Sequence, residues 1–181
     1  PGADAALIRD AILRRRLRPI AYLLTHSHVD HVSALTELCR DFPAPVVMSE
    51  PDARWAFTSI NELPPCYAAP AAPPAPPILV GEGDWRTEGP FSYRVIETPG
   101  HTPGGICFHL AADGVLFAGD TLFQGTVGRT DLPGGDARAM ARSVKRLAEL
   151  PDETRVYPGH GPATTIGIEK RTNFFMRRAA S

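Results

Sequence analysis

At 181 residues, with 43% hydrophobic and 22% charged residues, the chain has the composition of one globular domain with a substantial core, which excludes a disordered or fibrous protein. A formal net charge of −1 supplies no positive field for nucleic acid, and no run reaches the roughly 18 apolar residues of a membrane span. Cys39, Cys66 and Cys107 are odd in number and scattered without a C-x-x-C pair, which argues for a reduced interior rather than a disulfide framework. With no signal-peptide pattern at the start, the expected compartment is the cytoplasm.

Taken in chain order, residues 4–18 predict a helix with Leu7, Ile8, Ala11 and Ile12 on one face, broken by Pro19. Its Arg14-Arg15-Arg16 run and Arg18 read as a solvated helix face. Ile20, Ala21, Tyr22, Leu23 and Leu24 predict a buried strand that hands over to a helix carrying Val32, Ala34, Leu35, Leu38 and Cys39 and ending near Pro43. Val46-Val47-Met48 is a short strand, Pro51 to Phe57 starts as a short helix with proline in its first turn, and residues 64–77 form a proline-rich surface loop. Further strands are expected from Phe91 to Ile96, Ile106 to Phe108, Val115 to Ala118 and Thr154 to Tyr157. Asp136 can cap a helix running to about Leu150 whose stripe is Ala137, Met140, Val144, Leu147 and Ala148. A last helix opens at Thr164 or Thr165 and runs to about Phe174. Strands and helices interleaved in this way predict an α/β fold, a sheet covered by helices.

The densest chemistry lies in His26-Ser27-His28-Val29-Asp30-His31, three imidazoles and one carboxylate in six residues. Alternate side chains near a strand end point the same way, so His26 and His28 can converge on one ion, while Asp30 and His31 lie past the turn and face a neighbouring position. Imidazole with carboxylate oxygen suits zinc, iron or manganese, and a cluster without Cys argues for an open, reactive site rather than a closed structural zinc. Downstream, His101 and His160 sit in glycine-flanked turns, Thr98-Pro99-Gly100-His101-Thr102-Pro103-Gly104-Gly105 and Tyr157-Pro158-Gly159-His160-Gly161-Pro162. Asp120 follows the strand Val115 to Ala118, where it adds a carboxylate at a strand terminus. His109 lies on a strand outside any turn and reads as a packing or surface residue. The glycine pairs 104–105 and 134–135 match no phosphate-cradling pattern, and Cys66 has no neighbouring base in sequence.

These motifs, in this order over residues 20–170, resemble the metallo-β-lactamase superfamily, and Gly125 to Asp136 is similar to its short glyoxalase II-like, or hydroxyacylglutathione hydrolase-like, members. The resemblance implies an αββα sandwich as a single domain over residues 1–181, with its site along a sheet edge. The superfamily places strands ahead of this point and a P-G pair after one of them, so the opening Pro1-Gly2 leads us to expect that N-terminal strands are lacking here. It further implies a first metal on His26, His28 and His101, a second on Asp30, His31 and His160, and Asp120 bridging the two.

The activity the resemblance implies is binuclear hydrolysis of a thioester such as S-D-lactoylglutathione by metal-bound hydroxide, with Asp30 and Asp120 as the catalytic carboxylates. A thiolate, whose conjugate acid has a pKa of about 8.5, leaves with little general-acid help. Zinc is the expected ion, with iron and manganese as alternatives. Arg129 is a candidate for a substrate carboxylate, although pairing with Asp131 is the default reading. Glyoxalase II enzymes carry a C-terminal helical domain that grips glutathione, and residues 171–178 are too short to replace it, so a broad or different substrate preference is an open expectation. The expected partner is a small-molecule thioester, without nucleic acid or membrane and with the oligomeric state open. Two alternatives stand beside this reading. Gly128-Arg129-Thr130-Asp131 is also similar to mononuclear-iron persulfide dioxygenases, and the same metal chemistry serves other esters and lactones.

Overall fold

The computed structural model describes residue 2 and residues 4–180; Pro1, half of the opening pair noted above, lies outside the described residues. Two compact units divide the chain, Pro1–Val80 and Gly81–Ser181.

The first unit holds β1 (Tyr22–Leu23), β2 (Val46–Ser49) and β3 (Ile78–Val80) in a three-stranded parallel sheet of that order, with Tyr22 opposite Val46 and Val47 opposite Ile78. Parallel neighbours need crossover connections. Here α2 (Val29–Val32) and α3 (Leu35–Asp41) supply the first crossover, and α4 (Glu50–Ala53) with the long segment after it supplies the second. Tyr22, Leu24, Val32, Leu35, Leu38, Val46, Met48 and Ala56 make the core. The Tyr22 hydroxyl donates to the carbonyls of Leu38 and Phe42 at 3.0 and 2.9 Å, and burial pushes its pKa up to about 12. Residues 64–77 contain no helix or ladder strand beyond an isolated bridge between Leu63 and Tyr67.

Helix α1 (Ala5–Arg14) starts on Asp4, whose carboxylate accepts from Leu7 N–H at 2.8 Å, and stops well short of the expected residue 18. Its end is a Schellman turn: Arg16 N–H reaches the Leu13 carbonyl, Leu17 N–H reaches that of Ile12, and Arg16 takes the left-handed φ of 52°. The helix is therefore closed by backbone geometry before Pro19 is reached. The helix expected after the histidine motif is likewise two pieces, α2 and α3, broken at Ser33-Ala34.

The second unit is built on a six-stranded sheet of order β11-β10-β7-β6-β5-β4. Its strands are β4 (Trp85–Glu88), β5 (Phe91–Glu97), β6 (Ile106–Leu110), β7 (Val115–Gly119), β10 (Arg155–Pro158) and β11 (Thr164–Thr165), and a separate hairpin joins β8 (Leu122–Phe123) to β9 (Thr126–Val127). Because β6 runs antiparallel to both β5 and β7, and β10 runs parallel to β7, the strands β5, β7 and β10 all end on one edge of the sheet.

Helix α5 (Ala137–Leu147), with α6 (Ile166–Thr172) and α7 (Phe174–Ala180), completes this unit. Met140, Val144 and Leu147 of α5 pack with Ile96, Cys107, Leu116, Ala118, Val156, Ile166 and Met176, each large apolar side chain contributing about 1.5–3 kcal/mol. Ala137, expected in that stripe, is exposed; Ala139 and Ser143 are buried in it instead. The helix stops at Leu147 rather than about Leu150 because Glu149 and Leu150 close short turns onto Arg146 and Leu147 ahead of Pro151. Among the described residues no helix is long and apolar enough to cross a membrane.

Candidate metal centre

In the first unit the motif residues leave the C-terminal end of β1. His28 stands at the N-cap of α2, and Asp30 and His31 lie in that helix. His26 is buried, and its ring lies 5.1 Å from that of His28 and 4.1 Å from that of His31. One ring nitrogen of His26 is within 4.8 Å of one on His28, and the same holds for His26 and His31. Asp30 Oδ2 sits 3.6 Å from His31 Nε2.

Two buried side chains that belong to no motif hold this turn. Asp52 Oδ2 accepts from Ser27 N–H at 2.9 Å, and the Asn61 amide donates to the carbonyls of Ser27 and Ala56 at 2.6 and 2.7 Å. Asp52 reads in sequence as an ordinary first-turn acid of a short helix, and Asn61 as a loop residue. Only the parallel pairing of β1 with β2, which brings the segment after β2 beside the segment after β1, gives them their role.

In the second unit, three strand ends deliver three ligand-type side chains to one sheet edge. His101 follows β5, Asp120 directly follows β7, and His160 follows β10. The parallel register sets Pro158 opposite Gly119, and Gly159 N–H reaches the Gly119 carbonyl at 2.9 Å, which brings His160 beside Asp120. Asp120 Oδ2 then lies 3.4 Å from His101 Nε2 and 3.6 Å from His160 Nε2. These gaps exceed the roughly 2.7–2.9 Å of a charge-assisted hydrogen bond. They match instead the separation of two donors on a shared ion: with bonds of about 2.0–2.2 Å at tetrahedral angles, ligand atoms stand roughly 3.4 Å apart. One carboxylate oxygen between two imidazoles is thus a geometry suited to ligation, and the donor set of imidazole nitrogen and carboxylate oxygen fits a borderline divalent cation.

The surroundings fix these groups. His101 Nδ1 faces the Arg129 carbonyl at 2.8 Å; a carbonyl can only accept, so Nδ1 carries the proton and Nε2 presents its lone pair toward Asp120. The His101 turn is tied to α5, with Asp136 N–H on the Gly100 carbonyl at 2.9 Å and Ser143 Oγ donating to Pro99 at 2.7 Å. Gly100 takes a φ of 143°, and a Cβ there would meet Met140 at 2.5 Å. Gly128 passes so close to the Asp120 backbone that a Cβ would lie 1.8 Å from the Asp120 carbonyl oxygen and 3.3 Å from His101 Cγ. Beneath them Thr121 Oγ1 donates to Thr98 Oγ1 at 2.9 Å, and the Cys107 thiol, pushed up to about 11 by burial, packs against Thr98.

Arg129 meets His101 through its backbone. Its guanidinium makes two 2.7 Å bonds to Asp131, which hold that carboxyl down at about 2, and both side chains are exposed. His109 is half-buried on β6 opposite Arg94, and burial together with that guanidinium lowers its imidazole below the usual range.

Comparison with known proteins agrees with this chemistry. The sequence matches the metallo-beta-lactamase superfamily over residues 1–160. It is 36% identical to the hydroxyacylglutathione hydrolase GloC of Haemophilus influenzae, over 97% of this chain and 84% of that protein. The fold is similar to that of the B3 metallo-beta-lactamase BLEG-1, with a TM-score of 0.91, 38% identity, and coverage of 97% of this chain and 86% of the other. It is also similar to TTHA1623 in a di-iron-bound form, with a TM-score of 0.87, 41% identity and the same coverage. This chain therefore belongs to the metallo-β-lactamase superfamily, whose fold binds divalent metals and whose membership supports a metal-dependent hydrolase.

Proposed function

We propose that the chain hydrolyses a thioester of the S-D-lactoylglutathione type, with His26, His28, Asp30, His31, His101, Asp120 and His160 as ligands to two divalent ions and Asp120 shared between them. The observation that carries this reading is Asp120 Oδ2 between two imidazole nitrogens at 3.4 and 3.6 Å. A pair of divalent ions supplies water activated to a nucleophile near neutral pH and Lewis-acid stabilisation of the developing oxyanion. The chain's own part is to fix the ligands: Asp52 and Asn61 clamp the first turn, the Arg129 carbonyl sets the His101 tautomer, and Gly128 lets Asp120 settle against the backbone. Thioester substrate is supported by the 36% identity to GloC, and Arg129 is a secondary candidate for contact with a substrate carboxylate. Zinc is the ion we propose; the di-iron form of TTHA1623 supports iron as the second choice. We place the protein in the cytoplasm, as one working domain whose partner is that small molecule.

The test is steady-state hydrolysis of S-D-lactoylglutathione by protein loaded separately with zinc, iron or manganese, with Asp120→Asn as control. Turnover that falls at least about 100-fold in the control, together with loss of bound metal by elemental analysis, is the expected outcome. Two ions per chain without turnover would reject the substrate. Oxygen uptake by the iron form on glutathione persulfide would move the protein to the oxidoreductase alternative.

A further inference from the structure

His28 has an aromatic neighbour that the ligand chemistry leaves unexplained. The indole of Trp55 lies 5.6 Å from the His28 ring, tilted by 59°, a distance and angle in the range of favourable aromatic pairs. Trp55 is only half-buried, so part of a large apolar face stays open beside an imidazole at the candidate centre. The loop that carries it is not loose. Trp55 and Ala56 N–H groups return to the Asp52 carbonyl at 3.3 and 3.0 Å, Thr58 Oγ1 donates to the Trp55 carbonyl at 2.9 Å, and Asn61 ties the loop to both Ser27 and Ala56. Asp52 and Asn61, whose side chains hold the histidine turn, therefore also anchor the backbone segment that carries the indole.

Past Trp55 the loop continues in apolar character, with Ile60 78% and Leu63 56% exposed. The nearest charged neighbour in sequence, Arg54, is engaged with Glu50 at 2.9 Å. A partly open aromatic surface beside His28, with the neighbouring Arg54 turned to Glu50, suits an apolar group on whatever is bound there.

Resting on the thioester reading, we infer that Trp55 is a specificity-determining residue: its indole forms an apolar wall beside His28 that receives the hydrocarbon part of the acyl group, so acyl groups larger and more apolar than lactoyl are favoured. The wall acts on binding, and the carboxylate product of any such acyl group should feel it as well.

The experiment uses the full chain loaded with zinc in a Trp85→Phe background, which leaves Trp55 as the single indole of the two in the sequence. Acetate, butyrate, hexanoate and phenylacetate are titrated while Trp55 fluorescence is followed, and the same series is measured by calorimetry in Trp55→Ala. The expected result is a fluorescence change at every saturating ligand, and affinity rising about tenfold from acetate to hexanoate. That gradient should flatten in Trp55→Ala while zinc content stays unchanged. Trp55→Phe, which keeps a ring edge against His28 but withdraws the rest of the indole, should fall between the two.

An equal gradient with and without the indole would overturn the inference. So would loss of zinc in both Trp55 variants, which would make the residue a support for His28 alone. Kinetics on acyl-glutathiones of the same chain lengths keep the two readings apart. Absence of turnover on all of them rejects the thioesterase while the carboxylate series still decides the wall; turnover with a KM that ignores both acyl length and Trp55→Ala rejects the wall while the thioesterase stands.

Discussion

The two units solve the same problem, holding ligand-type side chains at strand ends, by opposite means. In the first, all four such residues come from one six-residue stretch after a two-residue strand, and the turn is kept in shape by distant side chains, Asp52 and Asn61. In the second, each comes from a different strand, and the sheet itself does the positioning: parallel register, the Gly159–Gly119 backbone bond and two close-approach glycines. The first arrangement is dense in sequence and weakly framed by its sheet, while the second is sparse in sequence and strongly framed. One therefore breaks when a side-chain hydrogen bond is removed, and the other when a Cβ is added.

The largest effect is expected from Gly128→Ala. A Cβ 1.8 Å from the Asp120 carbonyl oxygen cannot be relieved by a rotamer change, so the backbone beside Asp120 must move. We expect a loss of about 3 kcal/mol in urea unfolding together with loss of bound metal. Wild-type stability in this variant would show that the sheet edge is softer than its contacts suggest. Asp52→Ala is the matching test in the first unit. It strips the buried Ser27 N–H of its acceptor, at a cost of about 1–3 kcal/mol, and should lower metal affinity about tenfold or more while the rest of the core is kept. Metal affinity unchanged in Asp52→Ala, measured by chelator competition, would mean that the turn holds itself.

The same contrast decides what could be read from the sequence. The His26–His31 cluster is visible because its chemistry is local, and His101, Asp120 and His160 are visible because glycine-flanked turns and a buried strand mark them. Their mutual distances are not visible, since these depend on β5, β7 and β10 ending together. The strands Ile78–Val80 and Trp85–Glu88 pass unnoticed because the first is three residues long after a proline run, and the second is an edge strand whose Trp-Arg-Thr-Glu lacks an alternating apolar face. Asp52 and Asn61 carry no pattern at all. The early end of α1 is hidden for another reason, as its Schellman turn places Arg, not Gly, in the left-handed position. Removing that misfit gives a smaller prediction: Arg16→Gly should stabilise the protein by about 1 kcal/mol in urea unfolding and leave metal binding untouched. A destabilised Arg16→Gly would show that the arginine side chain contributes more than its backbone strain costs.

The smallest effect concerns the second unit's own helix end, and its sign is set by protonation. The Asp136 carboxylate accepts from Arg138 and Ala139 N–H at 2.7 and 3.0 Å, and these bonds hold its pKa below the ordinary carboxylate value in the folded chain. A carboxyl whose folded pKa is depressed stabilises the fold above its unfolded pKa, about 3.9, and loses that contribution as the pH falls through the lower folded value. The urea midpoints of wild type and Asp136→Ala should therefore be furthest apart above about pH 4 and converge below it. Asp136→Asn keeps an acceptor oxygen without a titratable proton, so its midpoint should lie close to wild type and the residual gap should close on acidification. If Asp136→Ala stays equally far from wild type down to about pH 2, the cap works through shape rather than charge, and α5 would owe its hold on the His101 turn to the Gly100 and Pro99 contacts alone.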